Sequence, residues 1–420
     1  MALVDKLSMQ SIGAACEHLC GPDGGIFERT PMIVPYMRDK LGPASSIERA
    51  LGPQREFVEG AVVKLDSMQK AGTFKRRGAE VFFKTREREG NLPSSVVTAS
   101  AGNHAQGVAL AAAKYGIQST IFMPEGAPQV KIDRVKLFGG EFVDVVLEGA
   151  FYDESVLAAK ERVEETGATY VHAYQDPAVI CGQATIAYEI FEKMTGMPQS
   201  RDSGISVDHE KMAQQYLEGT HPDVIIVPVG GGGLITGVGM IADHYETQPG
   251  RGKTYVVGVQ SGAADSMARS FKAEALVPES TDMEATTCAD GIMVKSASPD
   301  MFGCVRRFVD DIVTVPEGAI EQAIAMVYGD AYIAETQERM RRQNETAKML
   351  GEHVKGAGMV DMMNVVEGAA ATPLASLISG AVNLEAYANE LGRPVNVVLV
   401  HSGSNIDRPR LDAIRARYPL

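Results

Sequence analysis

The feature of this sequence that most constrains its fold is the alternation of short apolar runs with helical patterns. Several runs are apolar on consecutive residues, as expected of strands buried on both faces of a sheet. The predicted strands are AVVKL (61–65), SVVTA (95–99), STIFM (119–123), FVDVVL (142–147), DVIIVPV (223–229), TYVVGV (254–259) and VNVVLV (395–400). Segments such as GVALAAAKYG and ATIAYEIFEKM predict helices between them. This alternation indicates an α/β fold with mostly parallel sheets.

The composition narrows the class of protein. A chain of 420 residues favours two or three domains, and its net charge of −14 argues against nucleic acid or an anionic membrane as a partner. No apolar run reaches the ~18 residues of a membrane span, and the N-terminus lacks a signal-peptide pattern. The cysteine count of five is odd, which favours a reducing cytoplasm over a disulfide framework.

The segment GTFKRRGAE (72–80) contains a candidate nucleophile. The amine of Lys75 could condense with an aldehyde. The alternative is an ordinary surface lysine beside two arginines, and this segment alone favours that alternative.

The segment SAGNHAQG (100–107) joins a predicted strand to a predicted helix. Small residues allow a ligand to approach the backbone, and free amides at a helix start attract an anion such as a carboxylate. Asn103 can donate a hydrogen bond and His104 is polar. The alternative is a plain strand-to-helix turn with asparagine as the cap.

Two further loops follow predicted buried strands. VPVGGGGLITG (227–237) has four consecutive glycines, whose N–H groups can converge on one phosphate without side-chain clashes. LVHSGSN (399–405) places Ser402 where a ligand binds in open α/β sheets, at the carboxyl ends of the strands. The alternative for the glycine loop is a flexible turn, and the alternative for Ser402 is a serine that caps a helix.

Together, these four loops resemble the serine/threonine dehydratase family of pyridoxal-phosphate enzymes, which have fold type II. KLDSMQKAGTFKRRGA resembles its lysine segment, and SAGNHAQG, GGGGL and SGSN resemble its other three loops in the same order. Further matches are Thr30-Pro31, DPAVICGQATIAYE (176–189), ADGIMV (289–294) and VVEGAAA (365–371). The resemblance spans nearly the whole chain.

The resemblance implies a cofactor, pyridoxal 5'-phosphate, and a role for each loop. Lys75 forms the Schiff base with the cofactor and Phe74 lies against its ring. Asn103 hydrogen-bonds the ring hydroxyl and Ser402 faces the pyridine nitrogen. The phosphate lies on Gly230, Gly231, Gly232, Gly233 and Leu234, and the substrate carboxylate on Ser100, Ala101, Gly102, Asn103 and His104.

The resemblance also implies an architecture and a reaction. We expect residues 1–95 and 174–420 to form a large cofactor-binding domain, and residues 96–173 to form a small domain that closes over the substrate. The expected reaction is elimination of water or ammonia from a small amino acid such as threonine or serine, giving a 2-oxo acid. A homodimer or higher homo-oligomer in the cytoplasm is expected.

The chain departs from the family at three places. Ala101 stands where the racemases have a serine that acts as acid and base, which favours elimination. In GVQSGAADS (258–266), Gln260 and Ser266 replace the two carboxylates of a divalent-cation site; Asp265 alone would be a weak site, so no metal is expected. Extra length lies at about 36–60, 196–222 and 326–356, and the last of these segments predicts a long charged helix.

Other interpretations stay open. Racemisation and β-replacement are reactions of the same fold, although the β-replacement branch has threonine after the asparagine, where this chain has His104. A non-catalytic carrier of the cofactor is a third interpretation, which the retention of Lys75 and of a full substrate loop disfavours. The sequence does not identify the substrate side chain or the group that protonates the leaving group.

Overall fold

The chain folds around two separate β-sheets, as a computed structural model shows. The structure describes residues 3–7, 30, 32–37, 45–150, 152–195, 219–330, 338 and 365–419. Both sheets are mostly parallel and carry helices on their faces, which confirms the predicted α/β class.

The larger sheet contains β1 (Met32–Met37), β2 (Val58–Leu65), β7 (Val224–Pro228), β8 (Tyr255–Ser261), β9 (Asp311–Val315) and β10 (Val395–His401). Its strand order is β1-β2-β10-β7-β8-β9. β1 pairs with β2 in the antiparallel sense, and the other neighbours are parallel. β10, the last of these strands along the chain, therefore lies inside the sheet between β2 and β7.

The smaller sheet is built from one continuous stretch of chain. Its strands are β3 (Ser95–Ala99), β4 (Gln118–Met123), β5 (Val143–Leu147) and β6 (Thr169–Tyr170). They are all parallel, in the order β5-β4-β3-β6.

The described helices cover the faces of the two sheets. They are α1 (Leu3–Lys6), α2 (Ser46–Leu51), α3 (Lys75–Arg88), α4 (Asn103–Lys114), α5 (Gln129–Gly139), α6 (Tyr152–Thr166), α7 (Pro177–Thr195), α8 (Gly233–Glu246), α9 (Ser266–Lys272), α10 (Pro299–Phe308), α11 (Glu317–Tyr328), α12 (Gly368–Ile378), α13 (Leu384–Leu391) and α14 (Arg408–Arg417). Among the described residues, no helix combines the length and apolar character that crossing a bilayer requires.

Glycines line the contacts of α7 with α3 and with α8, which leaves no space for a side chain there. A Cβ added at Gly182 would lie 2.6 Å from the backbone oxygen of Arg77, and one at Gly237 would lie 2.8 Å from the backbone nitrogen of Ala184. A larger residue at either position would push the helices apart. The start of α3 is thereby held against α7.

Burial of the strands explains why most of them could be predicted. Every residue of β7 and of β8 is buried, as the consecutive apolar runs indicated. All seven predicted strands are present. β1, β6 and β9 were not predicted: β1 contains a proline, β6 has only two residues, and β9 has a buried side chain at only two of its five positions.

Much of the predicted extra length lies outside the described residues, namely 38–44, 196–218, 331–337 and 339–356. The long charged helix predicted over 326–356 falls largely there, and its first residues belong to the end of α11. Within 36–60 the structure has α2, a 3₁₀ turn at Gly52–Phe57 and the start of β2. Part of that segment therefore belongs to the larger sheet and its packing.

Candidate active site

Lys75 is the first residue of α3 and follows a tight loop. Gly72 has φ of +66°, and its N–H donates to the Gln69 carbonyl at 2.6 Å. The N–H of Phe74 then donates to the Ser402 carbonyl at 2.9 Å, which ties the lysine loop to the end of β10. The Lys75 Nζ donates to the carbonyl of Ala173 at 2.8 Å. Desolvation inside the protein lowers the pKa of the Lys75 amine to about 8, although the charge of Glu367 acts to raise it.

A buried ion network anchors the first turn of α3. Arg77 pairs with Asp66 at 2.8 Å and with Glu189 at 2.6 Å, and Lys64 pairs with Glu189 from the other side. The hydroxyl of Thr30 donates to Asp66 at 2.6 Å. Burial alone would raise the pKa of Glu189, but Arg77 and Lys64 lower it to about 2. All five side chains are buried, so each ion depends on its partners and their positions are tightly fixed.

The loop after β3 exposes backbone N–H groups at the start of α4. Gly102 N–H donates to the Ser100 hydroxyl oxygen at 3.2 Å, and Ser100 N–H donates to a β4 carbonyl at 3.0 Å. The N–H groups of Ala101, Asn103 and His104 have no acceptor among the described residues, as is usual for a first helical turn. These amides can bind a carboxylate.

The imidazole of His104 does not reach the same space. It is buried, and its Nε2 lies 3.0 Å from the carbonyl oxygen of Val171. Burial and the charge of Lys75 lower its pKa to about 3, so the ring is neutral. Since a carbonyl only accepts, Nε2 carries the proton. Only the backbone of His104 is placed to bind a substrate.

The glycine loop after β7 leads into α8. Gly232 has φ of +93°, which favours glycine. A Cβ at Gly231 would lie 2.5 Å from the ring of Tyr174, and one at Gly233 would lie 2.8 Å from the Tyr174 carbonyl oxygen. Packing against Tyr174 is thus a second reason for these glycines, besides close approach of a ligand.

The N–H groups of this loop are available to an anion. Those of Gly230, Gly231 and Gly232 have no acceptor in the described part of the chain. Gly233 and Leu234 open the helix, where N–H groups have no intrahelical partner. The hydroxyl of Thr236, one turn along α8, is buried without a partner among the described residues. Converging free donors at a helix start can hold a phosphate.

Ser402 follows β10 at the same edge of the larger sheet as the glycine loop. Its side chain is buried, and its hydroxyl makes no hydrogen bond with a described residue. The preceding His401 is buried with neither ring nitrogen paired within the described ranges, and burial lowers its pKa to about 4. Both residues are therefore neutral, and Ser402 keeps a free hydroxyl for a ligand atom.

Glu367, just before α12, is a site residue that the sequence reasoning missed. It is 3% exposed, and its Oε1 accepts from Nδ2 of Asn103 at 2.6 Å. Burial and the charge of Asp290 raise the pKa of Glu367 to about 7, although the Asn103 hydrogen bond opposes this. The sequence VVEGAAA does carry a signal, because a lone acidic residue among apolar ones seldom becomes buried without a specific role.

His172 was also missed. Its Nδ1 accepts from the backbone N–H groups of Tyr174 at 3.3 Å and Gln175 at 3.1 Å, which leaves the proton on Nε2. Its ring contacts that of Tyr174 edge-to-face, with centroids 4.7 Å apart. Burial and the charge of Lys75 lower its pKa to about 4, so it is a neutral donor beside the lysine.

No metal site is evident within the described ranges, where no group of three or more His, Cys, Asp and Glu could hold an ion. Gln260 accepts from Ala268 N–H at 2.8 Å. Asp265 accepts from the N–H of Thr281 at 2.8 Å and from its hydroxyl at 2.5 Å. The oxygens of these side chains have partners within the protein, and the expectation that no metal binds stays a prediction.

The structure thus brings together the predicted lysine, both amide-rich loops and the neutral serine, each at the carboxyl end of a parallel strand or at a helix start. This arrangement offers an aldehyde-reactive amine, a phosphate cradle and an unpaired hydroxyl. These groups fit a phosphorylated pyridine aldehyde, because its phosphate and its ring nitrogen would each meet donors that lack an acceptor in the described chain.

Comparison with known proteins is consistent with this chemistry. The family model described as "Pyridoxal-phosphate dependent enzyme" matches residues 45–337. The chain is similar to the L-threonine ammonia-lyase of Geobacter sulfurreducens, with 34% identity over 84% of this chain and 69% of that protein.

Two solved structures share the fold. Threonine deaminase isoform 2 from Solanum lycopersicum, in its processed form, is 27% identical, with a TM-score of 0.68 over 97% of this chain and 88% of that chain. Maize serine racemase is 25% identical, with a TM-score of 0.69 over 98% of both chains.

Proposed function

Because this chain belongs to the family of pyridoxal-phosphate-dependent enzymes, we propose that it is an ammonia-lyase acting on L-threonine, L-serine or a close relative. The observation that carries the proposal is Lys75, a partly desolvated amine between a free-amide loop and a glycine loop. The relatives named for threonine support the substrate class.

The cofactor would be held by residues from four loops. Lys75 would bind its aldehyde carbon, and Phe74, whose ring centroid lies 5.2 Å from the lysine Nζ, would lie against its ring. The phosphate would accept from the N–H groups of Gly230, Gly231, Gly232, Gly233 and Leu234. Asn103 would donate to the ring hydroxyl and Ser402 would meet the ring nitrogen. When bound, the cofactor supplies an electron sink for the bond that breaks at the substrate α-carbon.

The chain's own groups would then orient the substrate and move its protons. Ser100, Ala101, Gly102, Asn103 and His104 would bind the substrate carboxylate through their backbone. The Lys75 amine would take the α-proton, and a pKa of about 8 keeps part of it unprotonated near neutral pH. Loss of the β-hydroxyl as water, followed by hydrolysis of the released product, gives a 2-oxo acid and ammonia.

Ser402 would favour this elimination. A neutral hydroxyl cannot keep a pyridine nitrogen protonated as a carboxylate would. The cofactor would then be a weaker electron sink, which would favour prompt loss of the β-leaving group over transamination.

Racemisation is the second candidate, because maize serine racemase has the same fold. Ala101 argues against it, since a methyl group cannot deliver a proton to the face of the α-carbon opposite Lys75. β-Replacement is disfavoured by His104, which stands where that branch has threonine.

We also propose the broader assembly expected from the resemblance. Residues 96–173 would be a small domain, around the smaller sheet, that closes on residues 1–95 and 174–420. The protein would work as a homodimer or higher homo-oligomer in the cytoplasm. The described cysteines, Cys181, Cys288 and Cys304, are free and buried, as a reducing compartment allows.

The test is an assay of purified holoenzyme with L-threonine and with L-serine, measuring 2-oxo acid and ammonia. Release of both products in equal amounts from at least one substrate is expected. Formation of the D-amino acid without 2-oxo acid would favour the racemase. Turnover that requires an added thiol would favour β-replacement, and no change in any substrate would favour the carrier.

A further inference from the structure

Three polar side chains, two of them beyond the predicted site, form one chain of hydrogen bonds ending at Glu367. Arg134, on α5, donates from Nη1 to Oδ1 of Asn405 at 2.5 Å. Asn405 donates from Nδ2 to Oδ1 of Asn103 at 2.7 Å. Asn103 donates from Nδ2 to Glu367 at 2.6 Å. The residues come from both sheets, since Arg134 and Asn103 belong with the smaller and Asn405 and Glu367 with the larger.

The orientation of the Asn405 amide is fixed from two sides. A guanidinium only donates hydrogen bonds, so Arg134 must meet the oxygen of Asn405. The Ala71 carbonyl only accepts, and it lies 3.0 Å from Nδ2 of Asn405. A flipped amide would place donor against donor and acceptor against acceptor at these two contacts.

The orientation of the Asn103 amide follows from that of Asn405. Because the Asn405 amide presents an N–H to Asn103, the latter must present its Oδ1 in return. Nδ2 of Asn103 then faces Glu367 and keeps one N–H that makes no other hydrogen bond with a described residue. That remaining N–H is available to a ligand atom.

We propose that Arg134 is a positioning residue which, through Asn405, fixes the N–H end of the Asn103 amide toward the cofactor's ring hydroxyl. The inference rests on the proposed function, because it concerns the residue assigned to that hydroxyl. An N–H can only donate, so the ring oxygen it meets is stabilised in its ionised form. Without Arg134, the two amides lose one of the two contacts that exclude their flipped orientation, and only the Ala71 carbonyl still opposes it.

The test uses the absorption of the resting holoenzyme, with no substrate present. The cofactor bound through a lysine absorbs in the visible range when its ring oxygen is ionised, and in the near ultraviolet when that oxygen is protonated. Complete loss of one hydrogen bond to a charged oxygen should lower the ratio of the two bands by about tenfold or more. We expect a smaller fall in Arg134→Ala, where the Ala71 carbonyl still opposes the flip, and the larger fall in Asn405→Asp, which has no N–H to donate.

Two variants on α5 serve as controls. Arg134→Lys keeps a donor and a charge and should hold the ratio closer to that of the unmodified protein. Lys136→Ala removes an exposed cation from the same helix and should leave the ratio unchanged.

An unchanged ratio in Arg134→Ala would overturn the proposal, as would an equal fall in Lys136→Ala, which would indicate a general effect of changing α5. If Arg134→Ala does not fold, Asn405→Asp and Arg134→Lys test the proposal instead. A lower ratio in Asn405→Asp together with a near-native ratio in Arg134→Lys supports it. Native ratios in both variants overturn it. Failure of the proposed function is seen separately, as a lack of the visible band or of ammonia release in the unmodified protein.

Discussion

The Nδ2 atom of Asn103 lies 2.6 Å from Oε1 of Glu367, a residue 264 positions away in the sequence. This hydrogen bond joins the start of α4, beside the smaller sheet, to the start of α12, beside the larger one. It places a buried carboxyl group with a pKa of about 7 next to the residue assigned to the cofactor's ring hydroxyl. The charge of that carboxyl is therefore open to a direct test.

Glu367→Gln should make the stability of the apoprotein less dependent on pH. Burial raises the pKa of Glu367 from 4.5 to about 7. Since the folded value is the higher one, this group's contribution to the free energy of unfolding is greatest below about pH 4.5 and falls as pH rises to about 7. From about pH 4.5 to about pH 7, the free energy of unfolding of the variant should rise relative to that of the unmodified protein by on the order of 3 kcal/mol. Urea unfolding at several pH values measures this.

The control for that experiment is Glu385→Gln, which changes an exposed carboxylate on α13. An exposed site away from such a contact should alter stability by less than about 0.5 kcal/mol. A constant difference between Glu367→Gln and the unmodified protein at all pH values would contradict the assignment of a buried, proton-binding carboxyl.

Lys75→Ala should abolish ammonia release while cofactor still binds weakly through its phosphate. The amine is needed both for covalent attachment and for proton removal. Borohydride reduction of the unmodified holoenzyme, followed by peptide mapping, should place the label on Lys75. Label on another lysine, or normal turnover in the variant, would remove Lys75 from its assigned role.

Gly231→Ala should weaken cofactor binding, because the added Cβ would lie 2.5 Å from the ring of Tyr174 and displace the loop. Equilibrium dialysis of the cofactor and the melting temperature should be measured together, since packing and phosphate binding both depend on this glycine. Gly303→Ala on α10 is the control, because its Cβ would meet nothing within 4 Å. Unchanged cofactor affinity in Gly231→Ala would mean that the glycine serves packing alone.

Ala101→Ser should raise racemisation of L-serine relative to elimination. It would add a hydroxyl to the amide loop, where a proton could reach the far face of the α-carbon; the unmodified methyl group offers none. Chiral analysis alongside pyruvate release gives the ratio, and the exposed Ala273→Ser is the control. Substantial D-serine from the unmodified protein would show that another residue supplies the second proton.

The sequence predicted the parts of the site that depend on local pattern. Runs such as GGGGL and SAGNH indicate their backbone chemistry directly, and consecutive apolar residues indicate the buried strands. These features can be recognised from adjacent residues alone, without knowing which distant residues lie beside them in the fold.

The missed residues acquire their roles only through contacts between distant segments. Asn405 meets Asn103 across 302 positions, and Glu189 meets Arg77 across 112. Neither asparagine nor glutamate is unusual in its own segment. Only the folded chain shows that Glu189 is the shared anion of two buried cations, or that Arg134 faces an amide oxygen.

The position of β10 sets the order in which a growing chain can become functional. A ribosome releases β2 and β7 long before residues 395–401, yet β10 is the strand that pairs with both. Until β10 emerges, β2 and β7 have no strand between them, and Ser402 and Asn405 have not yet been synthesised. Cofactor capture should therefore wait until β10 and the loop after it have been made, and would mark a chain whose larger sheet has been completed.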